Sequence, residues 1–309
     1  MNTARPGNTG KPVPRLPLRF NHPLHCVPAE PFNRFLSPEA AQRTSVRVPQ
    51  LFNTRLRALH RDRAARTGPE MFLYKRAFDD CLERIGFYGR HFARALLIGC
   101  PDPSWPGLLK SIAAEVDVRD PAPLFASRAC GETILEEELE PSPDLYDLVL
   151  AIGTLDTVND LVAALRRIRM SMRADSLFIA AMAGADTLPR LRLSMRAADA
   201  LSGAAAPHVH PRIEAAALAP LMEQAGFIRP VVDVDRVGVS YRSFNRLVDD
   251  LRAMGMTNSL VERPRFIGRR ARDAAAEAFR DAGDGERTVE TFEILHVAAW
   301  TAQAKMNGR

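Results

Sequence analysis

Residues 95–121 read ALLIGCPDPSWPGLLKSIAAEVDVRDP, and the rest of the architecture can be built outward from them. Ala95–Gly99 is a short apolar run ending in glycine, the pattern of a strand buried on both faces. A helical segment at Leu108–Ala114 and a strand near Glu115–Val118 follow, closed by Asp120 and Pro121. Strand, loop, helix, strand is a βαβ unit, whose crossover lays the two strands parallel in one sheet. In such a unit the first-turn glycine lets a ligand approach the backbone. An acid about 20 residues later accepts hydrogen bonds from ribose hydroxyls. Gly99 and Asp120 stand 21 residues apart. The same pair also reads as a plain strand-end glycine and a surface aspartate before a proline, and spacing leaves both readings open.

The alternation continues downstream. An acidic loop at Glu136–Glu140 precedes a strand at Asp147–Ile152 (DLVLAI), a helix at Asn159–Met172 and a second interior strand at Leu177–Ala183 (LFIAAMA). This predicts the α/β class, a doubly wound parallel sheet with ligand chemistry at the strand C-termini. Upstream, a helix begins at Leu51. Leu51, Phe52, Leu56 and Leu59 form its apolar stripe, with Arg55, Arg57, Arg61, Asp62 and Arg63 turned to solvent. Gly68-Pro69 ends it, and a second helix runs from Met71 to Ile85.

Beyond Ala185 the pattern gives a helix near Leu188–Leu201, a polar Pro/His loop at 206–212, and a helix at Ile213–Ala225 closed by Gly226. A strand at Val231–Val239, a helix at Ser243–Met254 and a closing strand at Thr291–Ala299 complete the chain. Asp186 or Thr187 reads as the N-cap of the Leu188 helix. Asp249, Asp250 and Arg252 read as a solvated face over Leu251 and Met254.

Composition narrows the function. In 309 residues with 46% hydrophobic and 26% charged content, no apolar run approaches the ~18 residues of a membrane span. The net charge of +5 sits entirely in residues 1–50, where seven basic residues face two acidic ones; the remainder holds 35 of each. A neutral body has no general attraction for a phosphate backbone, so nucleic acid is not favoured as a partner. The local basic clusters at Arg55–Arg66 and Arg263–Arg272 read as solvated helix faces. Residues 1–50 also carry 9 of the 23 prolines and read as a disordered tail. They have no signal-peptide core, and their prolines break the amphipathic helix of a transit peptide. Four scattered cysteines suggest a reducing compartment, here the cytoplasm. The pairs His22/His25 and His208/His210 read as incidental surface histidines with no metal site around them.

Five segments together carry a family resemblance: LFNTRLRALHRDRAA (51–65), YDLVLAIGTLDTVNDL (146–161), FIAAMAGADTLPRLR (178–192), AGFIRPVVDVDRVGVSY (225–241) and DLRAMGMTNSL (250–260). In this order they resemble the class I S-adenosylmethionine-dependent methyltransferases. Within these they resemble the branch of the mitochondrial complex I assembly factors that hydroxylate an arginine of an iron–sulfur subunit. The biotin-pathway malonyl-acyl-carrier-protein methyltransferases are more distantly similar. The resemblance implies a Rossmann-like methyltransferase fold over residues 51–303, with a C-terminal antiparallel strand and a helical insertion around 186–225. It also implies S-adenosylmethionine as cofactor and a protein substrate such as a respiratory-chain subunit. The mitochondrial matrix is then the alternative location.

Carried over position by position, the resemblance gives Gly99, Cys100, Asp102, Asp120, Glu137 and Gly153 as cofactor-binding residues. The family's glycine-rich loop survives only at Gly99. Leu97 replaces its acid, and Pro101 and Pro103 replace its later glycines; proline has no N–H to offer. Leu135 stands where the adenine-contacting acid is expected, beside Glu136 and Glu137, and Asp156-Thr157 replaces a His-Trp pair. The expected function is a methyltransferase-like enzyme; the alternative is a catalytically inactive scaffold with a degenerate cofactor site. No catalytic residue follows. His208 and His210, on the insertion, are candidate general bases, and Arg190 and Arg192 are candidate cleft residues.

Overall fold

The computed structural model describes residues 49–203, 205–263 and 267–303, which lie in one compact unit. The expected tail over 1–50 lies, but for its last two residues, outside the described residues. Seven strands form one sheet: β1 (Phe92–Ile98), β2 (Ala113–Asp120), β3 (Glu132–Thr133), β4 (Tyr146–Ile152), β5 (Met172–Ala183), β6 (Ile228–Tyr241) and β7 (Thr288–Trp300). Their order is β3-β2-β1-β4-β5-β7-β6. The first five pair in parallel, and β7 runs antiparallel to both of its neighbours. The expected doubly wound sheet is present, with the antiparallel C-terminal strand.

Nine helices flank it among the described residues: α1 (Thr54–Thr67), α2 (Phe72–Phe87), α3 (Trp105–Leu109), α4 (Pro123–Arg128), α5 (Leu161–Met170), α6 (Pro189–Ser202), α7 (Ala215–Gln224), α8 (Phe244–Ala253) and α9 (Arg269–Asp281). Two apolar cores follow from the two-residue period of the strands. Leu97, Leu148, Leu150, Leu177 and Ile179 point to one side and pack with residues of α2, α6, α8 and α9. Their sequence neighbours Leu96, Val149, Phe178 and Ala180 point to the other and pack with α5 and α7. Covered on both faces, β4 is buried at every position, whereas edge strand β6 alternates between half-buried and exposed.

Several expectations need correction. The helix expected at Leu108–Ala114 is only the five-residue α3, because β2 begins at Ala113, pairing with Phe92. Helix α9 was not anticipated. It is strongly two-faced, with Ala275 and Phe279 buried and its arginines and acids turned outward, so the signal was present in the sequence. Asp250 is buried and pairs with Arg246 at 3.0 Å rather than facing solvent. Neither Asp186 nor Thr187 caps α6. Its N-cap position is Leu188 in the left-handed region (φ 63°), and Glu290 of β7 accepts the N–H groups of Arg190 (3.1 Å) and Leu191 (2.8 Å) instead. The largest correction concerns α1. Leu51 and Leu59 are exposed, while Arg57, Arg61 and Asp62 are buried. The helix thus turns its charged face inward, onto the carboxyl ends of the parallel strands.

Candidate functional site

The crevice at the C-terminal ends of β1, β2 and β4 is where an open α/β sheet binds ligands. Gly99 ends β1 there with φ 81°. A Cβ at this position would lie 2.2 Å from the Ile152 carbonyl oxygen, so glycine is required by the approach of β4, whatever the ligand. Its N–H donates to the Arg119 carbonyl (2.8 Å), which brings the ends of β1 and β2 together and sets Asp120 beside Cys100.

One acid stands in the loop or strand end on each side of the crevice: Asp120 after β2, Glu136 after β3 and Asp156 after β4. Each meets a buried arginine. Arg61 grips Asp120 in bidentate fashion, Nη2 to Oδ2 at 2.6 Å and Nε to Oδ1 at 3.2 Å. One turn earlier on α1, Arg57 pairs with Glu136 at 2.5 Å and also donates to the Thr157 carbonyl at 3.2 Å. Arg212, on the loop after α6, pairs with Asp156. Three positive charges balance three negative ones, the only way six ionised groups can be held away from water at tolerable cost. Burial works against the Arg61 charge, but the adjacent Asp120 outweighs it, and the guanidinium is held more firmly protonated than usual.

The six expected cofactor residues fall into two groups. Gly99, Cys100, Asp120 and Gly153 meet at the crevice. Asp102 and Glu137 do not present themselves to it. Asp102 Oδ1 accepts from its own loop, the Ser104 N–H at 2.9 Å and hydroxyl at 2.7 Å. Glu137 accepts the N–H of Asp160 at 2.8 Å and that of Asn159, fixing the start of α5. Cys100 donates its N–H to Asp120 Oδ2 (2.8 Å), and burial pushes its thiol well above the ordinary range. Gly153 has φ 63° and lies against Tyr74, whose ring would be 2.6 Å from a Cβ there. Trp105 does not enter the crevice: it stacks on Phe78 of α2 at 4.1 Å and is part of the core.

His208 and His210 are not incidental surface groups, whereas His22 and His25 lie outside the described residues. His210 is buried, accepts the Ser259 N–H at 2.8 Å and packs edge-on against Phe52. Burial, helped by Arg212, pushes its pKa down to about 4, so it is neutral at physiological pH. His208 is held by Asp199 at 2.7 Å. Arg192 donates to the His210 carbonyl (3.0 Å), and Arg190 contributes its N–H to the Glu290 cap.

S-adenosylmethionine, which the resemblance implies, can be tested against this geometry. The polar inventory suits a hydrogen-bonding ligand: Arg57 Nε, Glu136 Oε1, Thr154 Oγ1 and Arg212 Nε are buried and unpartnered. The space does not. Both carboxylate oxygens of Asp120 are committed, Oδ2 to Arg61 and Cys100, Oδ1 to Arg61 and Ala122. The cavity enclosed by Arg57, Arg61, Tyr74, Gly153, Asp156 and Arg212 is about 20 Å³. That holds about one water molecule, whereas sites for ligands of the cofactor's size run to roughly 300–1,000 Å³. With α1 in this position the residues do not admit an adenosyl group.

The missed residues are Arg57, Arg61 and Arg212. Their signal was the run of acids after three successive strands, each of which needs a counter-charge once the crevice is buried.

On the far flank of α1 lies a much larger cavity, about 710 Å³, between α1, α6, α8 and α9. Its lining includes His60, Arg63, Arg263 and Arg272 around an apolar floor of Leu191, Met195, Phe244 and Val248. Among the described residues, no group of three or more His, Cys, Asp or Glu could hold a metal ion, and no helix is long and apolar enough to cross a membrane.

No model of a known protein family matches the chain. Curated relatives do. The mitochondrial arginine-hydroxylase NDUFAF5 of Homo sapiens is 30% identical over 294 residues, covering 89% of this chain and 84% of that one. Its counterpart in Danio rerio is 36% identical over 168 residues, 53% of this chain and 52% of that protein. The malonyl-[acyl-carrier protein] O-methyltransferase of Laribacter hongkongensis is 29% identical over 266 residues, 79% of this chain and 88% of the other. The hydroxylase relatives are named as mitochondrial, which lends no support to a cytoplasmic placement. The sheet order and this similarity along most of its length place the chain in the NDUFAF5 arginine-hydroxylase family, within the class I S-adenosylmethionine-dependent methyltransferase superfamily.

Proposed function

We propose that this protein modifies a side chain of a respiratory-chain subunit during assembly of the complex, and that it works in the compartment where that complex is built. S-adenosylmethionine is the cofactor of its superfamily, and the crevice beside Gly99 and Asp120 is its place in this fold. We further propose that α1 governs access: the crevice admits the nucleoside when Arg61 releases Asp120 and stays shut while the two are joined. The observation that carries this reading is the bidentate Arg61–Asp120 pair, an internal cation seated on the acid that would hold the ribose.

Released from Arg61, Asp120 would hold the ribose of a bound cofactor; the Cys100 N–H keeps that carboxylate in place, and Arg57 and Arg212 supply counter-charges for the acids around the crevice. Each is a positioning role. The substrate is tested in cells that lack the gene, complemented with the wild-type protein or with Asp120→Asn. Mass spectrometry of the assembled complex is expected to find one subunit peptide that gains a methyl group or an oxygen atom only with the wild type. Identical peptide masses in all three strains would overturn the assignment of a protein substrate.

A further inference from the structure

Two basic runs far apart in sequence, Arg55–Arg66 and Arg263–Arg272, have no task in the crevice chemistry except through Arg57 and Arg61. The fold brings three of their other members together. Arg63 from the first, and Arg263 and Arg272 from the second, line the 710 Å³ cavity with His60. Among the described residues none of these three arginines has a carboxylate partner. The Arg272 guanidinium donates to the Asn245 amide oxygen at 2.9 Å, and Asp249, the one acid among the described lining residues, is held by Arg252 at 3.1 Å. Burial, together with Arg63 and Arg263, lowers the pKa of His60, whose Nδ1 is 3.0 Å from the Thr257 hydroxyl. The mouth of the cavity is therefore a site of unneutralised positive charge. Below it the floor is apolar: Leu188, Leu191, Met195, Phe244 and Val248.

A cationic side chain would be repelled here. An isolated phosphate would leave the apolar floor unused, and an uncharged hydrocarbon would leave the arginines unused. A single molecule satisfies both parts. We propose that this cavity binds an anionic amphiphile, a phosphate or carboxylate at the end of an acyl or alkyl chain, with the charge on Arg63, Arg263 and Arg272 and the chain along the α6 and α8 floor. The site goes beyond the proposed function: it needs neither the cofactor nor turnover, and Arg63, Arg263 and Arg272 stand outside the small crevice cavity, with which it shares only the lining residues His210, Arg212 and Met256.

Titration calorimetry of the full chain with decyl phosphate, decanoate, decylamine and inorganic phosphate tests this directly. The two decyl anions are expected to saturate one site. Decylamine and inorganic phosphate are expected to bind at least roughly tenfold more weakly. The decyl phosphate and decanoate arms distinguish a phosphate head from a carboxylate head. Arg263→Gln with Arg272→Gln, both at exposed positions, is expected to weaken decyl phosphate by a further tenfold or so, with unchanged circular dichroism as the check on folding. Equal binding of decylamine, equal binding of inorganic phosphate, or insensitivity of decyl phosphate to the double substitution would each overturn the proposal. So would absence of binding by both decyl anions. None of these outcomes bears on S-adenosylmethionine, so failure here and failure of the proposed function are separable.

Discussion

The two flanks of α1 use the same residue type to opposite ends. On one, Arg57 and Arg61 are buried, and each is matched to a carboxylate at hydrogen-bonding distance. On the other, Arg63 stands beside Arg263 and Arg272 at an open cavity with no carboxylate for any of them among the described residues. Desolvation makes the difference. A guanidinium removed from water must be paired, and once paired it fills and closes the space it occupies. A guanidinium left in water keeps its charge available to a ligand. One flank has therefore used its positive charge to hold the fold together, and the other retains it for binding.

Breaking the pair on the closed flank should give the largest effect. Arg61→Gln leaves Asp120 buried without its counter-charge, and urea unfolding is expected to show a loss of roughly 3–5 kcal/mol. The same substitution at Arg63 is expected to cost no more than about 0.5 kcal/mol. Equal effects at the two positions would dissolve the contrast.

Acid should weaken the closed flank next. His210 has a pKa of about 4 in the fold against an ordinary 6.5. Between those values the unfolded chain binds a proton that the folded chain refuses, so stability is intact above about pH 6.5 and falls as the pH drops towards 4. The loss from this group is up to roughly 3 kcal/mol, and unfolding measured in His210→Gln should lose that share of the pH dependence. An unchanged slope would mean that His210 is not buried as described.

A smaller effect sharpens the picture at α6. Glu290→Gln removes the charge that accepts the Arg190 and Leu191 N–H groups, and a loss of about 1 kcal/mol is expected. The smallest concerns Cys81 and Cys100. Burial raises both thiols well above the ordinary range, so peptides carrying them should resist alkylation at neutral pH until the protein unfolds. Ready alkylation of Cys100 in the native protein would show the crevice to be open.

The sheet was legible in the sequence because its strands are hydrophobic runs with both faces covered, ALLIG, DLVLAI and LFIAAMA, and such runs have few other places to go. The glycine–acid spacing marked Gly99 and Asp120 correctly as neighbours across β1 and β2. What periodicity could not reveal was which face α1 buries. Of the expected stripe Leu51, Phe52, Leu56 and Leu59, only Phe52 is fully buried, and the helix is anchored by Arg57, Arg61 and Asp62. Asp62 accepts the Leu124 N–H at 3.0 Å and so ties the helix to α4. A helix docked through ion pairs carries no hydrophobic stripe, and its partners lie 59 and 79 residues away. Asp102 and Glu137 each spend one carboxylate oxygen on nearby N–H groups, as short acids next to a turn or helix start do.

Arg61 sits on the acid proposed to hold the ribose, where a nucleoside would otherwise bind. Titration calorimetry with S-adenosylmethionine on the wild-type protein and on Arg61→Gln, each verified as folded by circular dichroism at the working temperature, tests it most directly. Weak binding by the wild type and binding at least about tenfold tighter by the variant are predicted. Tight binding by the wild type with loss of affinity in the variant would contradict the account, since Arg61 would then be a ligand of the cofactor and not its substitute.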